Sequence, residues 1–185
     1  MWNFNVSTLA QRLAERLRVI PDFPSPGVRF RDLTPVLQDP PLCGAILDWM
    51  EEISRPAEIH AVAGIESRGF FFGFALAQRL GVPFVPLRKG GKLPAETYTV
   101  TYDLEYGSAV LEMHKDAVAP GMRVLIHDDL LATGGTLAAA CRLVEMASAV
   151  PALLLVLTDL GLRNAESKVF LSKYEISKLL TVNNI

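Results

Sequence analysis

VLIHDDLLATGGT, Val124 to Thr136, carries three signals in a fixed order: an apolar run, a pair of acids, and a small, hydroxyl-rich turn that opens a helical segment. The apolar run predicts a buried strand and TLAAACRLVEM predicts the helix that follows it. Between them, Ala132, Thr133, Gly134, Gly135 and Thr136 are small enough for backbone N–H groups to converge at the helix amino terminus. There the helix dipole and the unpaired donors favour a phosphate. Asp128 and Asp129, just upstream, would repel that phosphate but suit the vicinal hydroxyls of a sugar, from which a carboxylate accepts hydrogen bonds. Acids beside a phosphate cradle imply a ribose phosphate.

Outward from this stretch the chain alternates. IHAVAG (59–64) reads as a buried strand, GFFFGFALAQRL (69–80) as a helix and VPFVPL (82–87) as a strand, which makes a βαβ unit. ALLLVL (152–157) supplies a further strand after the helix that follows Thr136. Near-continuous apolar strands of this kind predict a parallel sheet covered on both faces, hence an α/β fold. Ligands of such sheets sit beyond the carboxyl ends of the strands, so the loops after Ala63, Leu87 and His127 are the ones to inspect. KLPAETYTVTYDLEYGSAVLEMH (92–114) has a different texture, rich in Thr and Tyr with period-two stretches, and predicts antiparallel strands or a flap. Leu9, Leu13 and Leu17 predict an amphipathic helix over Val6 to Arg18 with Ser7 or Thr8 as its cap, and a second helix is expected from Pro41 to Ile53. PDFPSPG (21–27) ends the first helix in an extended, poorly hydrogen-bonded path.

Composition excludes several classes. At 185 residues, with 50% hydrophobic and 21% charged residues, the chain is neither disordered nor a small disulfide scaffold. Eighteen basic residues against twenty acidic ones leave a net charge of −2, so no general field would hold nucleic acid or an anionic membrane. No linker or repeat divides the chain, and residues 1–185 read as a single domain. Cys43 and Cys141 show no metal spacing and read as reduced thiols, with a disulfide between them left open. His60, His114 and His127 also lack metal spacing and read as structural. The charged first twenty residues lack a signal-peptide core and the longest apolar runs fall short of a membrane span, so a cytoplasmic protein is expected. GIESRG (64–69) has the glycine spacing of a nucleotide-binding loop, but Phe70 and Phe71 stand where Lys and Ser or Thr would be needed, and no GxGxxG opens a helix.

The run at Val124 to Thr136 resembles the diphosphate-ribose signature of the type I phosphoribosyltransferases. PDFPSPGVRFRDLTPVL (21–37), GIESRGFFFG (64–73), RKGGKLP (88–94) and LEYG (104–107) narrow the resemblance to the adenine phosphoribosyltransferases, over about Pro21 to Met146. It implies a parallel sheet flanked by helices over about 59–160, an amino-terminal hood within about 1–35, and a flexible flap over about 88–110. The reaction implied joins adenine to 5-phosphoribosyl-1-diphosphate, giving AMP and pyrophosphate, with Mg²⁺ held mainly by substrate oxygens and no direct protein ligand. By the same resemblance Glu105 is the catalytic acid facing the base, with Tyr106 beside it in the flap. Asp128 and Asp129 would bind the ribose, and Ala132 to Thr136 its 5′-phosphate. Glu66, Ser67, Arg68, Arg88, Lys89 and Lys92 would hold pyrophosphate, with a cis peptide between Glu66 and Ser67. Val28 and Arg29 would read the edge of adenine through backbone groups, and Phe30 would stack on it. A homodimer is implied as well.

Taken singly, several of these residues have plainer readings: Glu105 as a solvated hairpin acid, and Arg88, Lys89 and Lys92 as a basic turn. Phe70, Phe71, Phe72 and Phe74 read as core and subunit-contact packing. The sequence also departs from the family. His127 stands where an apolar residue is usual and could perturb the charge on Asp128. Pro151, Leu162 and the tail from Glu166 differ as well, which puts the carboxyl-terminal strand in question. Two alternatives stay open beside the adenine enzyme: another purine phosphoribosyltransferase, and a non-catalytic regulator. Against the regulator, roughly twenty residues before Pro21 are too few for a DNA-binding module with its own core.

Overall fold

The computed structural model describes residues 6–23, 25–103, 107–161 and 164–182. The elements run α1 (Val6–Arg16), β1 (Arg18–Pro21), β2 (Arg29–Asp32), α2 (Thr34–Leu37) and α3 (Pro40–Ser54), then β3 (Ala61–Ile65), α4 (Gly69–Leu80) and β4 (Phe84–Lys89). They continue with β5 (Thr97–Asp103), β6 (Ser108–His114), β7 (Arg123–Leu131), α5 (Gly135–Met146), β8 (Val150–Asp159), α6 (Ala165–Leu171) and β9 (Ile176–Thr181).

A seven-stranded sheet has the order β5-β6-β4-β3-β7-β8-β9. Strands β4, β3, β7, β8 and β9 are parallel, while the β5/β6 hairpin joins the β4 edge antiparallel. Side chains alternate across a strand, and the two cores follow that parity. Val62, Leu125, Leu153, Leu155 and Leu157 pack with α1, α3 and α4 on one face. Ala61, Ala63, Val124, Ile126, Leu154 and Val156 pack with α5 on the other. Asp39 caps α3 by accepting from the Leu42 N–H at 3.1 Å, with Pro40 and Pro41 in the first turn, where a missing N–H costs nothing. Among the described residues no helix is long and apolar enough to cross a membrane.

Several expectations shift. Strands β3, β4 and β7 end at Ile65, Lys89 and Leu131, beyond Ala63, Leu87 and His127, so Asp128 and Asp129 lie inside β7 rather than at its tip. Helix α1 already includes Ser7 and Thr8, so neither caps it. The proline-rich segment is a hydrogen-bonded turn between β1 and β2: Gly27 N–H donates to Asp22 Oδ1 at 2.7 Å and Val28 N–H to the Ser25 carbonyl at 3.2 Å. Strand β9 is formed, pairing parallel with β8. Pro151, with no N–H to give, sits where the β7/β8 register shifts. Both cysteines are free and belong to opposite faces of the sheet, which excludes their pairing.

Candidate active site

The site forms where β3 ends beside β7, next to Asp128. After β3 the Glu66–Ser67 peptide is cis, and Arg68 leads directly into α4. Gly69 is what brings that turn against β7. A Cβ there would stand 2.6 Å from the His127 carbonyl oxygen and 3.3 Å from Asp128 Cα, so a larger residue would push α4 off the strand. This close approach sets the Arg68 guanidinium beside Asp129, Nε to Oδ2 at 3.0 Å.

Because neighbours in a strand face opposite ways, Asp129 turns toward Arg68 on the α4 side while Asp128 turns toward the α5 side. The Asp128 carboxylate also accepts from the Asp129 N–H at 2.9 Å. Burial pushes both carboxyls up, Asp128 furthest because the Asp129 charge stands beside it, whereas Arg68 offsets the rise at Asp129. His127, fully buried, points to the α4 face and its Nδ1 lies 2.8 Å from the Leu155 carbonyl oxygen. Burial holds its pKa down at about 4, so it is neutral near pH 7 and places no charge beside Asp128.

Beyond β7, Gly134 takes φ +84° at the start of α5, a left-handed turn that suits glycine. Among the described residues no side chain caps the helix, which leaves the N–H groups of its first turn facing the loop. Two cavities meet here. One, of about 300 Å³, is lined by Glu66, Ser67, Arg68, Lys89, Asp128 and Asp129, among others. The second, of about 200 Å³, is lined by Leu130, Ala132, Thr133 and Gly134, among others. Arg68, Asp128 and Thr136 line both. Tyr102 and Ala109, cross-strand partners in the β5/β6 hairpin, close the wall of the first cavity. Sequence reasoning missed this pair, although TYTVTYD already places Tyr98, Val100 and Tyr102 on one strand face.

The basic cluster divides. Lys89 lines the first cavity, but Arg88 is turned onto Glu66 through Nε at 3.2 Å and Nη2 at 3.3 Å. Glu66 also accepts from the Lys89 N–H at 2.9 Å, and these bonds, that of Arg88 foremost, hold its carboxyl below the usual range. Among the described residues Lys92 offers only its carbonyl, to Arg88 at 3.2 Å, and its exposed side chain lines neither cavity.

In the β1/β2 hairpin, the Phe30 ring meets Phe23 edge-on at 5.2 Å between centroids. Arg68 reaches it from the body, with Cζ 5.2 Å from the ring centroid and Nη1 donating to the Arg31 carbonyl at 3.3 Å. The Val28 carbonyl accepts from the Phe23 N–H at 3.3 Å, so both of its backbone groups are engaged, loosely, within the turn. Arg29 is exposed in β2. Glu105, Tyr106 and Leu162 lie outside the described residues.

Two contiguous cavities, a paired-acid strand and an uncapped glycine turn define a class of sugar-phosphate-handling α/β proteins. A family model described as a phosphoribosyl transferase domain matches residues 33–173. An adenine phosphoribosyltransferase from Thermobifida fusca is 51% identical over 178 residues, covering 96% of this chain and 98% of the relative. The crystal structure of an adenine phosphoribosyltransferase from Rhodothermus marinus matches with TM-score 0.88 at 44% identity, over 95% of this chain and 99% of that one. A third, the Saccharomyces cerevisiae enzyme complexed with an imino-altritol bisphosphate and adenine, matches with TM-score 0.85 at 39% identity, over 94% of this chain and 99% of that one. The chain belongs to the adenine phosphoribosyltransferase family of phosphoribosyl-transferring enzymes.

Proposed function

We propose that this chain transfers phosphoribosyl from 5-phosphoribosyl-1-diphosphate to adenine, giving AMP and pyrophosphate. The observation that carries the reading is the adjacency of the two cavities across Arg68, Asp128 and Thr136. One presents cationic and backbone groups suited to a diphosphate, the other a glycine turn at a helix amino terminus suited to a 5′-phosphate, and the carboxylates of Asp128 and Asp129 lie where a ribose would join them. A substrate of this charge distribution is a phosphorylated ribose activated as its diphosphate. The Saccharomyces cerevisiae relative, described as complexed with a bisphosphate sugar analogue and adenine, supports both halves of the substrate pair.

In this reading Asp128 and Asp129 accept hydrogen bonds from the ribose hydroxyls. Thr133, Thr136 and the backbone N–H groups of Ala132 to Gly135 hold the 5′-phosphate. Arg68, Lys89 and the backbone around Glu66 and Ser67 receive the departing pyrophosphate, with Arg88 and Lys92 engaged after Arg88 leaves Glu66. As the bond from C1′ to the diphosphate breaks, N9 of adenine bonds to C1′. Positive charge develops on the sugar and negative charge on the leaving group, so fixed cations near the latter lower the barrier. Phe30 stacks on the base, Val28 and Arg29 read its edge, and Glu105, with Tyr106 beside it, accepts the proton that adenine gives up at N7 as N9 bonds to C1′.

Mg²⁺ is part of the proposal. The donor set suits a cation shared with the substrate: two adjacent carboxylates, one of them already paired with Arg68, can act on it through the ribose hydroxyls rather than as a cage. Held with the substrate beside these carboxylates, it would supply charge neutralisation for the leaving group. A cytoplasmic homodimer completes the reading; Phe71 and Phe74, each about half exposed (52% and 54%) on α4, offer an apolar face for a second copy. The test is pyrophosphate release by the purified protein with 5-phosphoribosyl-1-diphosphate and Mg²⁺, comparing adenine with hypoxanthine, guanine, xanthine and no base. Adenine-dependent release with AMP formed is the expected result; release with another purine moves the assignment within the family.

A further inference from the structure

One side chain ties the base-binding hairpin to the ribose acids. The Arg68 guanidinium lies over Phe30, donates to the Arg31 carbonyl on the same strand, and is ion-paired with Asp129, whose side chain is only 6% exposed. The other ring at Phe30 is Phe23, which meets it edge-on. Arg68 and Asp129 both line the first cavity, so the guanidinium joins that cavity to the face of Phe30 it covers. A planar base and a planar guanidinium cannot occupy one ring face together.

We propose that Arg68 is a positioning residue that covers the base-stacking face of Phe30 until a ribose phosphate draws it away, so that sugar binding and base binding are coupled through this one side chain. The inference rests on the reading of Phe30 as the base platform. Both ends of the latch answer to the same ligand class. Ribose hydroxyls donating to Asp129 compete with Arg68 for the carboxylate, and a phosphate in the second cavity, which Arg68 also lines, offers the guanidinium a stronger partner than a neutral carbonyl. A sugar phosphate therefore favours the arrangement in which Phe30 is open, and linkage requires that adenine in turn tightens the sugar.

The experiment is calorimetric titration of adenine into the wild type, Arg68→Ala, Arg68→Lys and Phe30→Ala, each with and without saturating ribose 5-phosphate, which carries no leaving group and so permits no turnover. Wild type should bind adenine at least about fivefold more tightly with ribose 5-phosphate, the lower end of ordinary coupling. Arg68→Ala should bind adenine alone more tightly than wild type does, with the ribose 5-phosphate effect reduced below about twofold. Arg68→Lys, which keeps the charge but not the planar guanidinium, should fall between them and carries the test if the alanine variant does not fold. Weaker adenine binding by both Arg68 variants, with the sugar effect intact, would mean that Arg68 supports the platform instead of covering it, and would overturn the proposal. Phe30→Ala separates the two layers: it should lose adenine affinity in both conditions, and if it does not, the base-platform reading fails and the latch with it.

Discussion

At the scale of single residues, His127 and Glu105 make opposite demands on pH and chemistry. His127 is neutral in the fold, with its Nδ1 against the Leu155 carbonyl and its Nε2 without a hydrogen-bond partner among the described residues. Its pKa falls from the ordinary 6.5 to about 4, and burial is the cause. Between those values the unfolded chain takes up a proton that the native chain refuses, so this contribution is fully present above about pH 6.5 and is lost as pH falls toward 4. Urea unfolding midpoints at pH 7 and pH 5 should show wild type losing about 2 kcal/mol more than His127→Leu over that interval. Equal losses would assign the acid sensitivity elsewhere. Glu105 bears on turnover instead. Glu105→Gln should lower kcat by about 10²–10⁴ while affinity for the phosphoribosyl substrate changes little, because proton transfer matters in the transition state and not in sugar binding. A matching loss in a direct binding titration would remove the proton-transfer role.

Elements set how close these residues come. The start of α4 lies on β7 only because Gly69 has no side chain, and that contact brings Arg68 to Asp129. Gly69→Ala must displace either the helix turn or the strand, since the clash is with backbone. It should cost about 1–3 kcal/mol in denaturant unfolding and, because the added Cβ presses on the backbone of Asp128, weaken ribose 5-phosphate binding in the same variant. If stability falls while binding holds, the ribose-binding role of Asp128 tolerates a displaced α4. Helix α4 itself was legible from GFFFGFALAQRL, whose limits the structure reproduces, because its apolar spacing and closing Gly81 are local signals. The β1/β2 hairpin was not. Its strands are four residues each with no buried position, so no period marks them, and the segment that suggested an open path instead holds a turn fixed by Asp22 and Gly27.

For the molecule as a whole, the sheet separates two cores, and the cysteines report on them independently. Cys141 is fully buried on the α5 side, and burial, with Glu145 nearby, pushes its thiol up. Cys43 is half-buried on the α3 side, where burial again raises its thiol and Sγ–H donates to the Val36 carbonyl at 3.2 Å. A thiol reagent should label Cys43 slowly in the native protein and Cys141 only at the rate of unfolding, and both at once in denaturant without reductant. Fast native labelling of Cys141 would show that the α5 face opens far more readily than its packing implies. The tail belongs to this scale as well. Strand β9 is held by β8, and Lys178 reaches back to the buried Asp159 at 2.6 Å. ISKLLT carries weak strand character alone, so its order depends on an edge 20 residues or so upstream in the fold.

The sequence by itself determined the α/β class, the strand, acids, turn and helix from Val124 to Thr136, and the family, because each is written in neighbouring residues: period-two and helical apolar spacing, and glycines at a phosphate turn. Tertiary structure decided which charges meet. Arg68 lies 61 positions from Asp129 and 38 from Phe30, and Arg88 lies 22 from Glu66; these partners are neighbours only because β3 sits between β4 and β7 and because Gly69 admits a close approach. A sequence states that cations and acids are present. Which cation is free to receive a ligand, and which is already held, is a matter of distance, and distance is set by the packed sheet.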